Sequence, residues 1–390
     1  MKIAVVCDSF KGSLTSKDAC AAVKDGLLRC NKNFEVLSLP FADGGEGTSR
    51  CFYDILGGQL RKAAVHDPLL REITAEYTVL PDGTAVIDIA SASGLTLLKS
   101  SERDAVKVSS LGSGELICDA AEHGAKHIIL GLGGSATTDA GTGILYALGM
   151  RFFSEDGVEV LPDGQNMIRV KKIRRIENFE RFRDIKFTLA CDVTNPLCGE
   201  NGAAYVFSPQ KGASKNDVEL LDDGLRNIGE IFEKASGKKI INLPGAGAAG
   251  GIGGGLSAFL NCELQSGFDV LARAASLEDK IRRSDAVITG EGKTDRQTLF
   301  GKLPKRVSDI AKKFGVPCIL LSGNVENDIS AEEIGVCEIH KIRENGISLE
   351  HCMKNAASLL SERAFAIGKD SKIINKQYSR KQEKIRENER

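Results

Sequence analysis

The sequence predicts an α/β protein of two α/β domains: one Rossmann/flavodoxin-like with a mainly parallel sheet, the other an inserted domain with a mixed sheet. Three observations lead there. Short apolar runs alternate with longer amphipathic stretches, as in KIAVVCDS (2–9) followed by a helical pattern from Thr15 to Leu28. Pro-Asp-Gly at 81–83 joins two alternating runs, ITAEYTVL (73–80) and TAVIDIA (84–90), and so predicts an antiparallel hairpin. The N-terminal grammar of strand, turn and helix then returns in DAVITGEG (285–292), Lys302–Phe314 and VPCILLSG (316–323).

Between these landmarks each element has its own signal. KIAVVCDS is continuously apolar, as a buried strand should be, and Thr15 or Ser16 supplies an N-cap oxygen for the helix that follows. FEVLSLP (34–40) is a second strand, and the turn Gly44–Gly47 leads into a helix over Thr48–Leu56. Gly114–His123 and Val218–Ala235 have helical periodicity, whereas HIILGLG (127–133) and FTLACDV (187–193) are strands running into polar or glycine-rich loops. The change of texture near Val65 places a domain boundary there. The expected division is 1–65 plus 285–368 for the Rossmann-like domain and 66–284 for the inserted one; two contiguous domains fit the pattern equally well. Residues 369–390 are charge-dense and poor in apolar side chains, which predicts a charged C-terminal tail, either a solvated helix end or disordered.

Composition narrows the function classes. The chain has 390 residues, 42% of them hydrophobic, and a net charge of −1, which argues against nucleic acid as the main partner. No apolar run approaches the length of a membrane span. Eleven cysteines without a CxxC pair fit reduced thiols in a cytoplasmic protein, not a disulfide framework or a zinc site.

Four glycine-rich blocks carry the chemistry: FADGGEGT (41–48), GLGGSATTDAG (131–141), GAGAAGGIGGG (245–255) and ITGEGKTD (288–295). Glycine lets backbone N–H groups close on an anion, and neighbouring carboxylates can hold Mg²⁺ against the same phosphates. The combination points to phosphoryl transfer. DSFKGSLTS (8–16) puts Asp8 and Lys11 at the carboxyl end of the first strand, the edge where open α/β sheets bind ligands. Asp43 and Glu46 flank two glycines and are spaced to converge on a cation. ACDVTNPLCG (190–199) ends a strand with Asp192 and Asn195, and a carboxylate there can orient a substrate hydroxyl. GEGKTDRQTLFGK (290–302) brings Glu291, Lys293, Asp295 and Arg296 together, acids for a metal and cations for phosphate.

Two familiar motifs fit poorly. Gly245, Gly247 and Gly250 match a dinucleotide fingerprint, but the first βα turn, where it belongs, lacks it. Gly292-Lys293-Thr294 ends like a P-loop, yet the leading glycine is replaced by Val287. The segment GLGGSATT (131–138) resembles the GLGSSA loop of the GHMP kinases, whose backbone amides surround ATP phosphates, but His127 stands where that family usually has proline and the rest of the chain does not follow its order; Gly133, Gly134, Ser135 and Thr137 are the phosphate-binding candidates of this block.

Taken together and in order, the blocks resemble the type 1 glycerate kinase family. The resemblance rests on DSFKGSLTS (8–16), ADGGEGT (42–48), ASASGL (90–95), GSGELI (112–117), GLGGSATTDAG (131–141), CDVTNPLCG (191–199), FSPQKGA (207–213), GAAGGIGGGL (247–256), GFD (267–269) and GEGKTDRQT (290–298). It implies ATP-dependent phosphorylation of D-glycerate in an interdomain cleft, giving 2-phosphoglycerate or, less favoured, 3-phosphoglycerate. ATP and Mg²⁺ are the implied cofactors, and self-association into a homo-oligomer stays open. On this reading the amides of Gly44, Gly45, Gly133, Gly134, Gly253 and Gly254 meet phosphates, and Lys11 and Lys293 neutralise charge. Asp43, Glu46, Glu291 and Asp295 hold the metal. Asp192 positions the glycerate hydroxyl, with Asp8 second in line; Ser91, Ser93, Asn195 and Arg296 are the candidates for the rest of the substrate. The family often carries arginine at the position of Lys293. A non-catalytic glycerate or nucleotide sensor and an NAD-dependent dehydrogenase are the rival readings.

Overall fold

The computed structural model describes residues 1–388 except Asp43, Pro162 and Asn345, with side chains through Arg380. Its strands are β1 (Lys2–Cys7), β2 (Glu35–Pro40), β3 (Gln59–His66), β4 (Glu72–Val79), β5 (Ala85–Asp88), β6 (His127–Gly131), β7 (Met150–Phe153), β8 (Lys172–Arg175), β9 (Lys186–Ala190), β10 (Asn261–Gln265), β11 (Ala286–Thr294), β12 (Cys318–Val325) and β13 (Glu338–Lys341). The chain divides into two compact units, residues 1–42 with 271–390, and residues 43–270.

The first unit is a five-stranded, all-parallel sheet in the order β13-β12-β11-β1-β2. Ile3, Val5, Ile288, Ile319 and Leu321 are buried in its core, which is why these strands read as unbroken apolar runs. The connection reverses direction between β1 and β11, the switch point at which doubly wound sheets leave a crevice at their carboxyl ends. Thr15 caps the helix Ser16–Cys30 by accepting the Asp18 N–H at 3.1 Å. That helix packs closely on the helix Ala356–Asp370: a Cβ at Gly26 would lie 2.1 Å from the Ser361 carbonyl oxygen.

The C-terminal stretch departs from the expected solvated tail. It forms a helix, Lys372–Asn388, whose Ile374 is fully buried in the first unit's core, and Tyr378 meets Phe34 edge-on with ring centroids 5.8 Å apart. Ile374 and Tyr378 are four residues apart and share one face, an apolar stripe too sparse to stand out among the surrounding charges.

The second unit carries a six-stranded mixed sheet in the order β10-β9-β6-β5-β4-β3. Strands β5, β6, β9 and β10 are parallel, and β4 and β3 extend the sheet as the antiparallel meander announced by the Pro-Asp-Gly turn. β7 and β8 form a separate hairpin. The edge strand β3 exposes or half-exposes Arg61 and Lys62, charges that protect a sheet edge and also hide its strand pattern. The unit begins at Asp43, upstream of the expected boundary near Val65. The helix Thr48–Leu56 is fastened to this sheet: Ser49 Oγ lies 3.0 Å from Thr78 Oγ1 on β4 and donates to the Val86 carbonyl on β5 at 2.9 Å.

The block GAGAAGGIGGG is mostly helix, Ala248–Phe259, with a left-handed kink at Ala249, Gly250 and Gly251 (φ 54°, 70° and 95°). Its glycines serve close approach. A Cβ at Gly250 would lie 2.0 Å from the Thr137 carbonyl oxygen, and one at Gly255 would lie 1.9 Å from the Ala140 carbonyl oxygen. The helix is thereby pressed against the back of the loop 131–141.

Candidate active site

In the second unit, the loops after β6 and β9 meet the turn at Gly44–Gly47. Gly133 donates its N–H to the Gly44 carbonyl at 3.0 Å, and a Cβ at Gly133 would lie 2.5 Å from Gly45 Cα. Two glycine blocks far apart in sequence therefore touch backbone to backbone, which only glycine permits. Leu132 donates to the Ala190 carbonyl at the end of β9 (3.1 Å), bringing the Asp192 loop alongside. Together these segments line a cavity of ≈ 370 Å³. Gly44, Gly45, Gly133, Gly134, Ser135 and Asp192 all border it, as do Ala248 and Lys211.

The turn is fixed from below by Asp88, at the end of β5. Its carboxylate accepts the Gly47 N–H and the Ser49 N–H, each at 2.9 Å, at the start of the helix Thr48–Leu56. Burial raises its carboxyl to about 7, against the two backbone donors that favour the charged form. Asp88→Ala would leave both N–H groups without this acceptor. The expected loss of stability is on the order of 2–4 kcal/mol, checked by denaturant unfolding; Asp88→Asn, which keeps one acceptor oxygen, should lose about half as much.

The loop after β6 is held by Asp139, which is fully buried. Its carboxylate accepts the Ser110 hydroxyl (2.7 Å) and N–H (2.9 Å) and the N–H groups of Gly141 (3.1 Å) and Gly143 (3.3 Å). Burial pushes its carboxyl up, opposed by these donors.

Lys211 was missed by motif reasoning as a residue with a role, although FSPQKGA was recognised as a block. Its side chain is only 3% exposed. Nζ donates to Ser135 Oγ at 2.8 Å and to the Thr137 carbonyl at 2.6 Å. Burial pushes its ammonium down to about 7, against the pull of Asp139. An unfolded lysine titrates near ~10.4, so between pH 7 and 10 the unfolded chain binds the extra proton and ligand-free stability rises with pH. Relative to Lys211→Met, the wild type should gain roughly 2–3 kcal/mol between pH 7 and pH 9.5. Urea unfolding of both proteins at the two pH values measures this difference.

The remaining candidates in this unit are placed otherwise. Glu46 is exposed and accepts from Thr96 Oγ1 at 3.4 Å; Asp43 lies outside the described residues. Thr137 is fully buried, and its hydroxyl has no hydrogen-bond partner among the described residues. Ser93 is fully buried with Oγ 2.7 Å from Ser113 Oγ, whereas Ser91 is half-buried. Asn195 Nδ2 donates to the Asn201 carbonyl at 2.8 Å. Gly253 and Gly254 are buried inside their helix, where a Cβ would lie 2.3 Å from the Gly245 carbonyl oxygen and 3.2 Å from Ala246 Cβ, respectively. Gly254 donates its N–H to the Ala246 carbonyl at 2.9 Å, and at the cavity this block presents Ala248 and Ala249.

In the first unit, the DSFKG and GEGKTD turns meet at the switch point. Asp8 donates its N–H to the Gly290 carbonyl at 2.9 Å, and a Cβ at Gly292 would lie 3.1 Å from Phe10 Cα. Lys11 is exposed on this turn. Glu291 is buried, accepts the hydroxyls of Thr294 (2.9 Å) and Thr298 (2.7 Å), and has its carboxyl raised by burial. Asp295 caps the short helix Arg296–Leu299 through the Gln297 N–H at 3.0 Å. Burial works against its charge, but Lys302, 3.2 Å away, the Gln297 N–H and Lys293 together hold its carboxyl below the ordinary range. Lys293 lies 2.8 Å from Glu326 and 3.6 Å from Asp295, and Arg296 lies 2.7 Å from Asp328. Exposed pairs of this kind hold by only about 0–1 kcal/mol, so these cations can exchange partners readily.

Residues 3–372 match the glycerate kinase family. The chain is 41% identical over 330 residues to glycerate 2-kinase of Escherichia coli (strain K12), covering 84% of this chain and 87% of that one. It is 39% identical over 367 residues to glycerate kinase of Halalkalibacterium halodurans, covering 93% and 96%. A crystal structure assigned as glycerate kinase 2 from Salmonella typhimurium LT2 superposes with a TM-score of 0.83 at 35% identity, covering 95% of this chain and 97% of that one. The chain belongs to the glycerate kinase family.

Proposed function

We propose that this chain transfers the γ-phosphoryl group of ATP to a hydroxyl of D-glycerate, with 2-phosphoglycerate as the favoured product. The observation that carries the reading is the cavity bordered by two touching glycine loops together with Asp192. The Gly133 N–H is spent on the Gly44 carbonyl, which corrects its expected place on a phosphate, so the amides of Gly44, Gly45 and Gly134 are the anion candidates; with a carboxylate bordering the same cavity they suit a reaction that needs anion positioning and an oriented hydroxyl. The name of the Escherichia coli relative, glycerate 2-kinase, supports the 2-position.

Asp192 accepts the proton of the reacting hydroxyl, or orients it, and Asp8 is the second candidate. Lys11 and Lys293 offset charge on the phosphates. Arg296 and Ser91 remain the candidates for the substrate carboxylate. Mg²⁺ is typically bound through one or two carboxylates plus phosphates and water, not by an all-protein cage. Glu291 and Asp295 suit that mode, and among the described residues no group of three acidic, histidine or cysteine side chains forms such a cage. When bound, Mg²⁺ would neutralise the phosphate oxygens. The proposed setting is cytoplasmic, which eleven free cysteines favour. Among the described residues no helix is long and apolar enough to cross a membrane.

The test is ADP release from ATP with and without D-glycerate, followed by NMR of the product. ADP that appears only with glycerate, with phosphorus on the 2-oxygen, supports the proposal. A 3-phosphorylated product corrects the position. Ligand binding without turnover would favour the sensor reading instead.

A further inference from the structure

We propose that Lys211 is the cationic anchor of the second unit's cavity, donating a hydrogen bond to an anionic oxygen of the bound ligand, carboxylate or phosphoryl. The inference rests on the kinase reading and deepens it. An ammonium group has three N–H donors. Two of them are spent on Ser135 Oγ and the Thr137 carbonyl, at 2.8 and 2.6 Å. The third has no partner among the described residues, and Lys211 borders the cavity. A buried cation with an unspent donor is costly to keep unless something fills the vacancy. The two bonds it does make go to the loop whose Gly133, Gly134 and Ser135 line the same space, so Lys211 also sets where those groups point. An arriving oxyanion would meet the loop and the ammonium together.

The charged groups around it are Asp139, locked behind the loop by four donors, and Asp192 on the cavity wall. Asp139 is satisfied by those donors and makes no ion pair with Lys211 among the described residues. The ligand's own negative charge is then what holds the proton on Nζ. Binding near pH 8 should take up a proton, because Lys211 is largely neutral in the free protein and charged in the complex.

The experiment is calorimetric binding of D-glycerate alone and of a non-hydrolysable ATP analogue alone to the full-length wild type and to Lys211→Met. Losing a charge-assisted hydrogen bond should weaken one ligand on the order of 10- to 100-fold and leave the other within a few-fold. Weaker glycerate assigns Lys211 to the carboxylate; a weaker analogue assigns it to phosphoryl oxygens. Unchanged affinity for both, with a folded variant, overturns the inference while the kinase reading stands on glycerate-dependent ADP release. If the variant does not fold, wild-type titrations in buffers of different ionisation enthalpy decide. Uptake of close to one proton at pH 8 with one of the two ligands supports the inference, and no uptake with either overturns it.

Discussion

Asp192→Asn is expected to lower kcat by about 10²- to 10⁴-fold, the usual contribution of a positioned acid–base group, while KM for glycerate changes little. Asp192 follows β9, past the point where Ala190 receives the Leu132 N–H, and it shares the cavity with the glycine loops. Asparagine keeps the side chain's size but cannot accept a proton from the reacting hydroxyl. Since Asp192 is exposed, the exchange leaves no buried charge or cavity, and the melting temperature should hold. Steady-state kinetics checks the claim. Near-normal turnover in a folded variant would shift the role to Asp8, whose own asparagine variant should then show the loss.

The second large effect is structural. Gly255→Ala should destabilise the second unit by about 3 kcal/mol or more and remove activity with it. The new Cβ would lie 1.9 Å from the Ala140 carbonyl oxygen and 3.5 Å from the Phe232 ring. The clash is with main chain, which cannot rotate away, and Ala140 is itself left-handed at φ 53°. Relief requires moving the loop 131–141, which carries Gly133, Gly134 and Ser135. Gly254→Ala is the control: its Cβ would come no closer than 3.2 Å, to the Ala246 methyl, and it should cost less than ~1 kcal/mol. Thermal unfolding of the two variants beside the wild type separates the outcomes.

How much of this was legible in the chain depends on the residue. The parallel strands were plain, because burial on both faces demands continuous apolar runs such as KIAVVC and CILL. The hairpin was plain because Pro-Asp-Gly has few other uses. β3 and β13 were hidden: one is a charged edge strand, and the other is four residues long. The tail helix was obscured because Ile374 and Tyr378 are sparse among lysines and arginines, and what buries them lies in distant sequence. For the site, touching glycine loops and a strand-end aspartate could be read from local pattern. The block at 245–255 could not, since glycine for anion binding and glycine for close packing are spelled alike; only Ala140 and Thr137, more than a hundred residues away, distinguish them. Asp88 and Lys211 were overlooked for a related reason. A lone acid in an apolar strand and a lone lysine in a turn look solvated until their burial is seen.

Hydrogen exchange of the full-length protein, free and with ADP plus D-glycerate, shows whether the second unit's cavity receives the reacting groups. Slowed exchange is expected at the amides of Gly44–Gly47 and Gly133–Thr137, together with the loop after β9. Binding that leaves all three segments unchanged, with protection confined elsewhere, would contradict that role for the cavity.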